Sequence, residues 1–199
     1  MPEERRSRLT PDDRRTQLLA LGVSFLADHS LDALSMDELA RRAGVSRALI
    51  FHYFESKQWM QRAVVTTARD SLQHATQPRP ELPPRERIDD TLRRFAGFVR
   101  EHRGTFLSLV RGTASGDPTV RSLVDESREF NAEQLRTAFI ELGVPDTRAV
   151  RLALRAWVSF AEEVFVSLAV DDLADDTALV DFLVRALDGA VAAATESPI

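Results

Sequence analysis

The sequence predicts an all-α protein of about nine helices. Apolar residues recur at helical spacing through most of the chain, and no stretch shows the alternation of a half-buried strand. No internal repeat and no glycine-rich phosphate loop breaks that pattern. The 199 residues suffice for one large or two small domains. The absence of cysteine rules out a disulfide framework and thiol chemistry, and suits a cytoplasmic location.

The elements follow from local signals. Residues 1–9 form a polar arm with Arg5, Arg6 and Arg8, read either as a solvated tail or as an arm whose guanidinium groups suit phosphates. Thr10-Pro11-Asp12-Asp13 opens a helix, with a cap, a first-turn proline and acids at the positive dipole end. It runs to about Asp28, turning Leu18, Leu19, Phe25 and Leu26 inward. Its uncharged stretch, Thr16 to Ala27, is too short to span a bilayer and lacks a cleavage site, so no membrane partner is expected. Ser35 caps a short helix from Met36 to Ala43, and Glu38 stands where a capping box needs it. Gly44 supplies a left-handed stop, Val45 turns inward, and Ser46 caps a second short helix from Arg47 to about Phe54. Ala40 is small where these two helices must cross.

A longer helix starts at Lys57, with Met60, Ala63, Val64, Thr67 and Ala68 along one side. QPRPELPP, Gln77 to Pro84, cannot be helical. A domain boundary is expected there, giving a head over residues 1–57, a connecting helix over 57–76 and a body over 77–199. In the body, residues 85–102 read as a helix, and Gly104 separates it from a short one through Val110. Ser115-Gly116-Asp117-Pro118 interrupts the chain before a helix that stops at Gly143. Asp146 or Thr147 opens the next, to about Val170, and the last runs from about Asp175 to Ala194.

Two short helices around a tight turn, followed at once by a third, are the pattern of a helix-turn-helix, whose second helix enters the DNA major groove. The stretch from Arg14 to Lys57 resembles the TetR family of bacterial regulators. Phe25-Leu26 fits its first block, Ser35 through Leu39-Ala40 to Ala43-Gly44-Val45-Ser46 its second, and Ile50-Phe51-His52-Tyr53-Phe54 with Lys57 its third. The resemblance implies a ligand-responsive regulator, a repressor that binds a palindromic operator in double-stranded DNA as a dimer. It places Ser46, Phe51, Tyr53 and Lys57 at bases or phosphates. Ser35, Ala48, Leu49 and His52 complete the expected interface, with Leu49 suited to a thymine methyl. Arg47 is the expected base reader, because its guanidinium can pair with guanine O6 and N7. Lys57, the only lysine in the chain, is suited to phosphate; an ordinary surface lysine is the alternative. Phe51 departs from the family's tyrosine and so lacks a hydroxyl for phosphate.

The formal net charge of −5 divides unevenly: residues 1–62 carry +1 and the remainder −6. Groove contacts must therefore rest on local placement of charge. From Leu152 to Val170 apolar residues occupy nearly the whole circumference, and the last helix adds Val180 and Val184 beside its main stripe. Such helices need cover on more than one side, which predicts a homodimer joined through the last two helices; a large monomer core is the alternative. The family places a small-molecule effector pocket inside the body. Phe95, Phe106, Arg111, Phe130, Trp157 and Phe160 are candidates for it, with Arg111 or Glu163 as a polar anchor, and all fit a purely structural role as well.

No catalytic or metal site is expected. His29, His52, His74 and His102 are scattered and form no metal-binding pair with a carboxylate, and nothing resembles a nucleophile elbow. No cofactor is implied. The remaining alternatives are a helical protein-interaction module and a regulator that activates without a small-molecule inducer.

Overall fold

The computed structural model of the chain describes residues 9–112, 118–171 and 176–197. They form nine α-helices and one 3-10 turn, Leu31–Ala33, with no strand among the described residues. In chain order the helices are α1 (Pro11–Phe25), α2 (Met36–Ala43), α3 (Arg47–Tyr53), α4 (Lys57–Ala75), α5 (Pro84–Glu101), α6 (Arg103–Gly112), α7 (Pro118–Glu141), α8 (Arg148–Asp171) and α9 (Asp176–Thr195). The arginines of the N-terminal arm, the Ser115-Gly116-Asp117 break and the expected start at Asp175 lie outside the described residues.

The starts follow the expected chemistry. Thr10 Oγ1 accepts from Asp13 N at 3.1 Å, and the Asp13 carboxylate accepts in return from the Thr10 backbone and hydroxyl. Thr147 Oγ1 accepts from Val150 N at the start of α8. Gly143 ends the α7 turn at φ 84°, a left-handed conformation that a side chain would strain.

Two cores form. The first gathers Leu18, Phe25, Leu26, Leu34, Leu39, Ile50, Phe54, Met60 and Val64 from α1 to α4 and the intervening turns. Each such buried side chain stabilises by about 1.5–3 kcal/mol. The second packs α5 to α9 around Ala96, Leu154, Phe165, Leu183 and Leu187. Leu109 of α6 and Val120 of α7 belong to the first core, although both lie beyond the Gln77–Pro84 linker. Arg94 fastens that linker by donating to the carbonyls of Ala75 and Gln77 at 2.7 and 2.8 Å.

Three expectations need correction. α1 stops at Phe25, three residues early, because Leu26, Ala27 and Asp28 donate three residues back, to the carbonyls of Val23, Ser24 and Phe25, and the chain tightens into a turn. Only half of the α2 capping box forms: Ser35 Oγ accepts from Glu38 N at 3.1 Å, while the Glu38 carboxylate turns to Arg41 and Arg42. Gly104 lies in the first turn of α6 and separates nothing. A Cβ there would stand 1.6 Å from the Ala27 carbonyl oxygen, so it permits α6 to abut the chain after α1.

Candidate functional site

The α2–α3 pair offers a polar outer face on an apolar base. Gly44, at φ 63°, turns the chain, and Ser46 Oγ caps α3 by accepting from Leu49 N at 3.2 Å. Ile50 and Phe54 are fully buried and anchor α3, which leaves Ser46, Arg47, Ala48, Phe51 and His52 exposed together. Leu49 and Tyr53 are half-buried, and Tyr53 packs against the head core. The Arg47 guanidinium lies 5.4 Å over the Phe51 ring, and its Nε is 3.2 Å from Asp37 Oδ1. Lys57 Nζ donates to the Asp32 carbonyl at 2.8 Å. Gln61 Nε2 clamps the carbonyls of Leu31 and Leu34, fixing the 3-10 turn against α4. Hydrogen bonds from Arg41, then Arg42, hold the Glu38 carboxyl well below its ordinary value, at about 2. Asp37, Asp32 and Gln61 escape sequence reasoning because their partners are distant in the chain and no local motif marks them.

A cavity of about 150 Å³ opens between α4, α5, α6, α7 and α8. Its walls are mostly apolar, with Ile88, Leu92, Phe95, Phe106, Trp157 and Phe165 prominent. Among the described residues three arginines line it, each in an ion pair: Arg69 with Asp70 and Glu126, Arg87 with Glu141, Arg128 with Glu162. Bidentate bonding to Glu162, at 2.6 and 2.9 Å, raises the Arg128 pKa further above its ordinary value. Val65 and Leu109 line the cavity and also belong to the head core. Ser108 Oγ, one residue away, lies 3.3 and 3.2 Å from the carbonyls of Leu26 and His29.

The outer faces of α8 and α9 carry large apolar side chains in the open. Leu152 is 58% exposed, Phe160 40% and Phe182 45%, and the last two rings meet at 5.8 Å. Ala156 and Gly189 are small, exposed neighbours on the same two helices.

Residues 84–188 match the family described as "Tetracyclin repressor-like, C-terminal domain", and residues 18–64 match "Bacterial regulatory proteins, tetR family". The chain belongs to the TetR family. It is a DNA-binding transcriptional regulator, not an enzyme. The HTH-type transcriptional activator FasR of Mycolicibacterium smegmatis is 28% identical over 127 residues, covering 63% of this chain and 58% of FasR. EthR of Mycobacterium tuberculosis, an HTH-type transcriptional regulator, is 38% identical over 73 residues, 36% of this chain and 32% of EthR. Those stretches span less than two thirds of either relative. Among solved structures, a TetR-family regulator from Streptomyces coelicolor superposes with a TM-score of 0.79 at 28% identity, covering 94% of this chain and 83% of its own. A TetR-like regulator from Rhodococcus sp. RHA1 gives 0.74 at 25% identity, covering 93% and 99%.

On this TetR scaffold Ser46, Arg47, Ala48, Phe51, His52 and Lys57 of the expected DNA-facing residues are exposed, whereas Leu49 and Tyr53 are half-buried and Ser35 is half-buried in its cap. Of the expected pocket residues, Phe95, Phe106 and Trp157 line the cavity. Phe130 and Phe160 do not: both are exposed, Phe160 on the outer face of α8. Glu163 is likewise exposed; its neighbour Glu162 lines the cavity, because a shift of one residue turns a helical side chain by about 100°. The side chain of Arg111 lies outside the described residues. Among those described, no helix is long and apolar enough to cross a membrane.

Proposed function

We propose that this TetR-family regulator is a repressor that binds a palindromic operator as a dimer and is released when a small, largely apolar molecule fills the cavity. The observation that carries the reading is the double placement of Val65 and Leu109, which line the cavity and pack in the head core. A ligand that favours one arrangement of α4 and α6 thereby changes the pose of the head. The exposed faces of α8 and α9 fit an isologous four-helix contact, with Leu152, Phe160 and Phe182 as its apolar centre. Such a dimer sets two α3 helices roughly 34–36 Å apart, one helical turn of DNA. Arg47 then reads a guanine, and Lys57 exchanges the Asp32 carbonyl for a phosphate. Phe51 contributes ring packing in place of a hydroxyl contact. The cytoplasm follows as its place of work.

Genomic fragments selected by the purified protein, followed by mobility shifts across a salt series, test the reading. Retention of a palindromic fragment by two subunits, with repression of its promoter in an in vitro transcription reaction, is the expected result. A single subunit bound without sequence preference overturns the dimer reading, and stimulated transcription overturns repression. The FasR relative is named as an activator, so the transcription assay is the arm that decides the sign.

A further inference from the structure

The hydroxyl of Thr91, in the wall of the cavity, has no partner. Its Oγ1 is buried and makes no hydrogen bond. Four other threonines, three within helices and one at the end of α4, avoid that state by donating to the carbonyl four residues back: Thr67 at 2.9 Å, Thr76 at 2.8 Å, Thr137 at 3.0 Å and Thr195 at 2.8 Å. Thr91 makes no such bond to Arg87. A buried hydroxyl left unpaired is unfavourable, and a ligand oxygen removes the penalty once the hydroxyl is turned from its closed position to the cavity. Rotation about χ1 exchanges methyl and hydroxyl, and threonine in a helix uses both rotamers.

The charges at the same walls point the same way. Every described arginine lining the cavity is already held by carboxylates, and its one described lining acid, Glu162, is the bidentate partner of Arg128. An anionic or cationic ligand must break one of those charge-assisted pairs or enter apolar surroundings uncompensated. A neutral ligand does neither. The volume admits a ring: an apolar cavity of about 150 Å³ takes a molecule as large as benzene.

We propose that the cavity selects a neutral, ring-sized apolar molecule carrying one hydroxyl or carbonyl oxygen, which hydrogen-bonds Thr91 Oγ1. This rests on the reading of the cavity as the effector site. The test uses four probes of matched size on the full chain: toluene, benzyl alcohol, benzoate and benzylamine. Trp157, in the cavity wall, reports binding by its emission once the second tryptophan is removed by Trp59→Phe.

Benzyl alcohol is expected to bind tightest, by about tenfold over toluene, the worth of one net hydrogen bond. In that background Thr91→Val removes the advantage and leaves toluene binding unchanged, while Thr91→Ser retains it. Preference for benzoate or benzylamine overturns the proposal and leaves the cavity reading intact, as does an alcohol preference that survives Thr91→Val. No saturable response of Trp157 to any of the four probes overturns the cavity reading itself.

Discussion

On the proposed reading, Arg47 gives up two contacts to meet a base. Its ion pair with Asp37 and its stacking on Phe51 are both exposed, and an exposed pair contributes about 0–1 kcal/mol. A bidentate guanine contact is worth about 1–3 kcal/mol, so the exchange favours the correct base. Arg47→Ala is therefore expected to lose about 1–3 kcal/mol of discrimination at one base pair per half-site, measured by competition between operator variants. Equal losses on operator and scrambled duplex would remove Arg47 as the reader. Lys57→Ala should weaken all sequences alike and lower the salt slope by about 1. The Glu38 carboxyl titrates at about 2, below its ordinary 4.5. Its contribution to stability is therefore complete above pH 4.5 and fades as the pH falls toward 2. The thermal midpoint of Glu38→Gln should lie below wild type near neutral pH, and the gap should close across that acid window.

At the scale of elements, two glycines set how closely helices approach. A Cβ on Gly22 would come within 2.5 Å of Val64 Cγ2, where α1 crosses α4. Gly22→Ala is expected to cost about 1–3 kcal/mol through overpacking. Adding Val64→Ala should recover part of that loss, so denaturant titration of the double variant should show less than the summed cost. Additive losses would mean that the two residues do not share the crossing. Gly104 has less room, because a Cβ would meet the Ala27 carbonyl and no flexible side chain can yield. Gly104→Ala should separate α6 from the end of α1 and lower stability more than Gly22→Ala does.

At the scale of the molecule, Leu152, Phe160 and Phe182 share the α8–α9 outer face. On the proposed dimer reading, this exposed apolar face is the subunit contact. Phe182→Arg is expected to halve the mass seen by light scattering and to abolish operator binding at concentrations where wild type binds, because one head alone has half the contacts. An unchanged mass would place the subunit contact elsewhere.

Local chemistry made much of this legible from residues alone. Thr10, Gly44, Ser46 and Gly143 act within a few residues of themselves, and the outward set from Ser46 to His52 follows from helical period around buried Ile50 and Phe54. Periodicity placed Phe95 on a buried stripe, but the circumference of α8 is apolar nearly all round, so the sequence could not tell the cavity side of Trp157 from the outer side of Phe160. Which side faces the cavity, leaving Phe130 and Phe160 exposed and bringing in Thr91 and the Arg128–Glu162 pair, depends on how five helices pack side by side. The residues themselves thus determined a helix-turn-helix regulator with an apolar body, because caps, turns and periodicity are short-range. Only the tertiary arrangement decided that the head core reaches across the linker to Leu109 and Val120, since contacts between chain-distant residues leave no local signature.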